Sequence, residues 1–370
     1  MAIKALWYLS TADGNYPWIQ EEFYPVDFKR YKKLAQTIDQ GGFYGALVAT
    51  WPNDPLTSAS SVAGFTENMK FLVAEYAGLT PAKLLAEQAL TFEKFHGSRL
   101  LFNHINGTPQ RIGTYGVTLT PETRYELGES YWKEFQQHYA KGYRSLFPNT
   151  DFTIEPTTPG GIPLWGTGDS AAGIEHAGKV VNTYLLMIRE RARVKDQFAR
   201  AKASAERQGR RYDDMGALTS VTVRETQKEA EQQFYKIFEK TGAELLKQKL
   251  DVSIKRKTNG EQSIDNFTAP DAQRQEWVDY IRKGQLPPLE SLRLEENLFA
   301  GMSAWSSLDI FGYASSAAYL VGSPENIATQ VEKYHVETGM TALIMSGWPL
   351  IEEAEYTSKL LLPLLKTIGE

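Results

Sequence analysis

The chain has 370 residues, 42% hydrophobic and 23% charged, with a formal net charge of −5 and a mean hydropathy of −0.39. These values are ordinary for a globular protein. They give no electrostatic reason to expect nucleic acid as a partner, and no apolar run approaches the ~18 residues a membrane span needs. The absence of cysteine excludes disulfides, thiolate metal sites and cysteine nucleophiles, and it fits a reducing, cytoplasmic setting; MAIKALWYLS lacks the charge-then-apolar layout of a secretory signal.

Along the chain, short apolar runs alternate with long amphipathic stretches, as expected of parallel strands covered by helices. Eight runs read as strands: 3–10, 45–50, 70–74, 100–105, 163–168, 183–187, 216–223 and 342–347. Between them lie helix signals. Asp27 is placed to cap a helix over 28–40, with Tyr31, Leu34, Ala35 and Ile38 on one face and Gly41-Gly42 at its end. Residues 81–95 form a second helix, Thr120-Pro121 opens a third, and Ser323-Pro324 repeats that device before 327–338. Residues 226–250 and 273–283 read as helical. The polar stretch 253–269 reads as a mobile loop, and 299–318 as an aromatic, glycine- and serine-rich loop.

This order predicts an α/β fold: one (β/α)₈ TIM barrel over 1–370, with a long insertion at about 250–318 acting as an active-site loop or lid. A doubly wound open sheet would need fewer strands in this order. The basic runs 189–193 and 255–257 are expected to be solvated surface.

Several residues could carry chemistry. In Gly168-Asp169-Ser170-Ala171, small residues precede a helix that would aim free N–H groups outwards, which suits a phosphate; an ordinary glycine-rich turn with a serine N-cap has the same sequence. Arg124 beside Tyr125 suits an anion, or a surface ion pair with a packed ring. Asn103 closes the fourth strand and faces the mouth of a barrel, or serves as a loop cap. The five histidines are His96, His104, His138, His176 and His335. They show no metal-ligand spacing, and no nucleophile elbow is present. Aromatic residues make up 12% of the chain, and Trp305, Phe311, Tyr313 and Trp348 fall in loops near the predicted mouth, where they suit a flat or apolar ligand.

Three C-terminal segments carry a resemblance: Tyr319–Tyr334 (YLVGSPENIATQVEKY), Ala342–Ala354 (ALIMSGWPLIEEA) and Leu360–Leu365 (LLLPLL). Looser collinear matches are residues 71–74, Phe102-Asn103 with Asn106-Gly107, Arg124-Tyr125-Glu126 and Val223-Arg224-Glu225-Thr226. Together they resemble the bacterial luciferase-like flavin monooxygenases, closest to the alkanesulfonate monooxygenase branch, over nearly the whole chain outside roughly 230–290.

The resemblance implies reduced FMN delivered by an NAD(P)H-dependent flavin reductase, dioxygen as cosubstrate, and oxygenation of a small molecule through a flavin-peroxide. It also implies a homodimer or homotetramer. It places Tyr125 and Ser170 at the FMN phosphate and Asn103 beside the flavin ring, with Arg124, Gly168, Asp169 and Ala171 in the same cofactor site. The sulfonate enzymes' strand-seven arginine and histidine are Leu218 and Ser220 here. Trp348 and Leu350 replace a tyrosine and a histidine, and the loop arginine falls near Trp305. A desolvated sulfonate needs cationic partners. The expected substrate is therefore neutral, aromatic or heterocyclic, a flavin being one example, and it would meet Trp51, Ser220, Trp305 and Trp348. A sulfonate-cleaving monooxygenase and a deazaflavin-dependent hydride-transfer enzyme are the alternatives.

Overall fold

The computed structural model describes residues 3–50, 52–118, 120, 123–144, 152–304, 306–312 and 318–366. Its strands in chain order are β1 (Lys4–Leu9), β2 (Gly45–Val48), β3 (Lys70–Tyr76), β4 (Leu100–Ile105), β5 (Tyr143–Arg144), β6 (Thr153–Ile154), β7 (Leu164–Thr167), β8 (Thr183–Met187), β9 (Asp214–Val223), β10 (Arg293–Glu295), β11 (Leu298–Ala300), β12 (Ala318–Gly322) and β13 (Ala342–Ser346).

Eight of them run parallel in the ring β1-β2-β3-β4-β7-β8-β9-β13, which closes because β13 pairs with both β9 and β1. The strands are covered on both faces, which is why they read as near-continuous apolar runs. At the N-terminal end of the barrel, Lys4 Nζ lies 2.5 Å from Asp214 Oδ2, and Thr341 Oγ1 donates to Asp214 Oδ1 at 2.9 Å, so β1, β9 and the start of β13 are tied together.

The helices begin and end where local chemistry directs. The Asp27 carboxylate accepts the N–H groups of Lys29 and Arg30 at the head of the helix Phe28–Gln40. Ser323 accepts the Asn326 N–H before Pro324–Thr338, and Gly339, at φ +78°, ends that helix in the left-handed region. The third expected helix is described as Thr123–Lys141, with Thr120 Oγ1 accepting the Thr123 N–H at 3.2 Å; Pro121 and Glu122 lie outside the described residues. Among the described residues, no helix is long and apolar enough to cross a membrane.

Two expectations need correction. Residues 299–318 are not simply a loop running on to the last barrel strand. β11 and β12 flank them, and β12 is a further parallel strand, registered Tyr319↔Ser220 to Gly322↔Val223 against the second half of β9. β13 takes the first half of β9, from Ala342↔Gly216 to Ser346↔Ser220. A ten-residue β9 can serve both, and nothing in the local sequence announces that shared edge.

The stretch 253–269 is not a free loop either. The helix Gln227–Lys257 continues through its first residues, with a break at Gly242. Ile264 and Phe267 are then buried in a second apolar cluster with Phe234, Phe238, Leu246, Leu250, Ile254 and Trp277. Asp251 Oδ1 accepts the Ile264 N–H at 2.9 Å, and Arg282 donates to the carbonyls of Ile264 and Phe267. Two anchors at irregular spacing leave no periodic signal. Phe267→Ala should therefore lose about 3 kcal/mol of stability in denaturant unfolding, whereas a freely moving loop would lose under about 0.5 kcal/mol.

Candidate active site

A cradle of hydrogen-bond donors assembles from three elements at the C-terminal end of the barrel. Ser170 caps the helix Ala171–Val180, its Oγ accepting the Gly173 N–H at 3.1 Å, so the first N–H groups of that helix point out of its end. Gly168 lets the turn close against the helix, because a Cβ there would lie 2.3 Å from the Gly173 carbonyl. The helix Thr123–Lys141 adds Tyr125, whose hydroxyl lies 3.4 Å from Ser170 Oγ. Arg124 Nη2 donates to that hydroxyl at 2.8 Å and Nη1 to the Gly107 carbonyl at 3.2 Å, while Arg124 Nε is buried with no partner. The structure thus brings Arg124, Tyr125, Gly168, Ser170 and Ala171 together. Asp169 adds at most its backbone N–H, since its carboxylate offers an anion no donor and accepts from Gln197 Nε2 at 2.8 Å.

Beneath the cradle is a polar chain that sequence reasoning missed. Trp132 Nε1 donates to His104 Nδ1 at 2.7 Å, and His104 Nε2 lies 2.8 Å from His176 Nε2. An indole N–H only donates, so the His104 proton sits on Nε2 and is given to His176, whose own proton is then on Nδ1. The His176 ring packs against Tyr125, with centroids 5.1 Å apart. Burial pushes the His104 imidazole down to about 3 and His176 down to about 4. The pair lies 72 positions apart in sequence, so no local spacing reveals it.

His104 faces the helices, so Asn103, one residue earlier on β4, faces the barrel interior. Its Oδ1 is buried with no partner. A cavity of about 400 Å³ opens at the ends of β1, β2, β8, β9 and β13, lined by Tyr8, Leu47, Ala49, Thr50, Met187, Leu218, Thr219, Ser220, Ile344, Met345, Ser346 and Ala304. No charged side chain lines it among the described residues. Ser220 Oγ pairs with Ser346 Oγ at 2.9 Å, and burial pushes the Tyr8 phenol up to about 12.

Ser220 and Leu218 are thus in the cavity wall, while Asn103 and Trp348 are not among its lining residues. Trp348 packs edge-on against Phe23, with centroids 6.4 Å apart. Trp51 and Trp305 lie outside the described residues, as does Tyr313. Ala304 brings the insertion to the mouth. Its segment is anchored by Trp18 Nε1 to the Ser303 carbonyl at 2.7 Å, and by the buried Arg274, which reaches the Asp309 carboxylate at 3.2 Å.

The family profile described as luciferase-like monooxygenase matches residues 6–342. Three solved structures are similar. EDTA monooxygenase from Chelativorans sp. BNC1 has a TM-score of 0.71 at 16% identity, over 100% of this chain and 95% of that one. A riboflavin lyase, solved with modified FMN and its substrate riboflavin, has 0.72 at 13%, over 100% and 92%. A long-chain alkane monooxygenase has 0.71 at 17%, over 100% and 92%. At these identities the likeness is one of fold.

The histidine chain generates a pH prediction. Both imidazoles are held neutral in the folded state, whereas in the unfolded chain each binds a proton near its ordinary value of about 6.5. Their contribution to stability is therefore full above about pH 6.5 and is lost as pH falls towards about 4 for His176 and about 3 for His104, by up to about 1.4 kcal/mol per pH unit for each ring. Denaturant unfolding across that window checks it, and His176→Gln should remove one proton's worth of the slope.

Proposed function

Because the chain belongs to the luciferase-like monooxygenase family, we propose that it is a two-component, reduced-FMN-dependent monooxygenase acting on a small organic molecule whose reacting part is uncharged. The observation that carries this reading is the cradle of Arg124, Tyr125, Ser170 and the helix terminus, set at the same end of the barrel as an apolar cavity.

The residues present fit FMN. Its phosphate would take the Ser170 and Tyr125 hydroxyls, the N–H groups of Ala171 and its neighbour, and the Arg124 guanidinium, whose Nε is otherwise buried without a partner. The buried, unpaired Asn103 Oδ1 supplies an acceptor on the barrel's inner face for a ring N–H. When bound, reduced FMN supplies the two electrons that split dioxygen, so that one oxygen atom enters the substrate and the other leaves as water. A separate NAD(P)H-dependent flavin reductase is the proposed source of the reduced cofactor.

The chain's own residues bind, orient and exclude water. Leu47, Ala49, Met187, Leu218, Ile344 and Met345 make the cavity wall apolar, which favours an uncharged aromatic or heterocyclic group and keeps water from the reacting atoms. The hydroxyls of Thr50, Ser220 and Ser346 supply the orienting polar contacts. The segment holding Ala304, anchored through Ser303 and Asp309, covers one side of the mouth and is the proposed lid.

Anaerobic titration with reduced FMN should saturate, and admission of oxygen should then consume the reduced flavin. Ser170→Ala and Tyr125→Phe should each weaken FMN binding about tenfold, the loss of a hydrogen bond to a charged group, while leaving riboflavin, which has no phosphate, unaffected. No saturable binding of reduced FMN would overturn the reading.

A further inference from the structure

Beside the cavity lies a second recess that the proposed reaction does not use. On the helix Gln227–Lys257, Leu246, Leu250 and Ile254 are buried in the second apolar cluster. The same periodicity puts Lys249, Val252, Ser253, Arg256 and Lys257 on one other face, spaced i, i+3, i+4, i+7 and i+8. That face walls a groove of about 490 Å³, closed opposite by Trp18, Phe23 and Phe311. Ala304 lines both the groove and the 400 Å³ cavity, so the two are neighbours across that residue.

The charges in the groove have one sign. Among the described residues its lining includes Lys249, Arg256 and Lys257 and no carboxylate. Of the acids nearest this face, Asp251 pairs with Lys255 at 2.6 Å, Asp265 with Lys247 at 3.3 Å, and Asp309, which also acts on Lys257, with Arg274 at 3.2 Å. Lys257 Nζ sits 4.2 Å from the centroid of Phe311. Lys249 and Arg256 form no ion pair among the described residues. An uncharged cavity beside a cationic, aromatic-walled groove, with only Ala304 shared between their walls, matches a molecule that is apolar at one end and anionic at the other. Arginine's planar fork suits a carboxylate, sulfonate or phosphate, and aromatic walls suit the body that joins the two ends.

We propose that the groove is the specificity site for an organic anion: Lys249 and Arg256 hold the anionic end of the substrate while its uncharged, oxidisable end lies in the cavity. The inference rests on the reading of the cavity as the substrate site. It also reconciles that cavity's lack of charge with an anionic substrate, because the charge would sit outside it.

Two fluorescent probes with the same aromatic body test it: 8-anilinonaphthalene-1-sulfonate and the uncharged N-phenyl-1-naphthylamine, each titrated into the full chain without flavin. The native protein should bind the sulfonate more tightly, with an affinity that falls as salt rises. K249Q/R256Q should weaken sulfonate binding about fivefold, as expected for two exposed charge pairs, and leave the neutral probe unchanged. Ser170→Ala should alter neither probe. The proposal is overturned by a native protein that does not prefer the sulfonate, by a double variant that binds both probes as the native protein does or loses both equally, or by sulfonate binding that depends on Ser170. Both substituted side chains are exposed, and a far-UV circular dichroism spectrum and unfolding midpoint equal to those of the native protein show that the double variant is folded, so that probe binding reports on the groove alone. FMN titration is read separately, so failure of the flavin reading would appear there and not here.

Discussion

Closure of the barrel is the constraint on which the rest depends. A parallel sheet with an open edge leaves a row of backbone donors and acceptors unmatched, and here β13 removes that edge by pairing with β1 on one side and β9 on the other. Residues more than 330 positions apart, such as Lys4 and Ala342, become neighbours in that ladder. Once the ring is closed, the turns that follow β1, β2, β4, β7, β8, β9 and β13 converge on one end. The long β9 adds a second consequence. Its first half completes the ring and its second half carries β12, so the insertion is fastened to the barrel at the mouth and Ala304 reaches the cavity.

Around that ring, buried charges fix the loops. Asp13, in the turn after β1, accepts the Leu350 N–H at 2.8 Å and pairs with Arg30, capping the helix Leu350–Tyr356 from a distant part of the chain. Arg224, just past β9, meets the buried Glu353 of the same helix, and burial pushes that carboxyl up against the opposing pull of the guanidinium. Such pairs add little net stability over apolar substitutes, but losing one partner strands the other, so they hold the turns in a single arrangement. The Trp132–His104–His176 chain acts alike under the cradle, with neutral groups: every ring nitrogen it uses has one role, and Tyr125 rests on its end.

Polarity at the mouth is divided by place. The cradle offers hydroxyls, helix N–H groups and a guanidinium, the cavity offers almost only carbon, and the groove beyond Ala304 offers ammonium and guanidinium groups. That separation lets one end of a barrel hold charged groups while the cavity between them keeps a lining without charged side chains among the described residues. The nearest cations, Lys249, Arg256 and Lys257, stand outside the cavity on the helix Gln227–Lys257.

The sequence by itself determined the repeat of strand and helix, the caps at Asp27, Ser170 and Ser323, and the small-residue turn at Gly168 ahead of the helix Ala171–Val180. All of these rest on local rules: burial on both strand faces, a side-chain acceptor before a helix, small residues at a close approach. What only the tertiary structure decided depends on residues far apart in the chain. β12 is a strand because β9 has spare length to pair with it, and 258–269 is ordered because Ile264 and Phe267 find a cluster built from other segments. His104 and His176 are partners because β4 and the helix Ala171–Val180 pack together. The basic run at 255–257, solvated as its composition implied, gains a shared purpose with Lys249 only when the groove beside Ala304 forms. Local propensity is written in neighbouring residues, whereas a pairing between distant ones exists only after closure has chosen who stands beside whom.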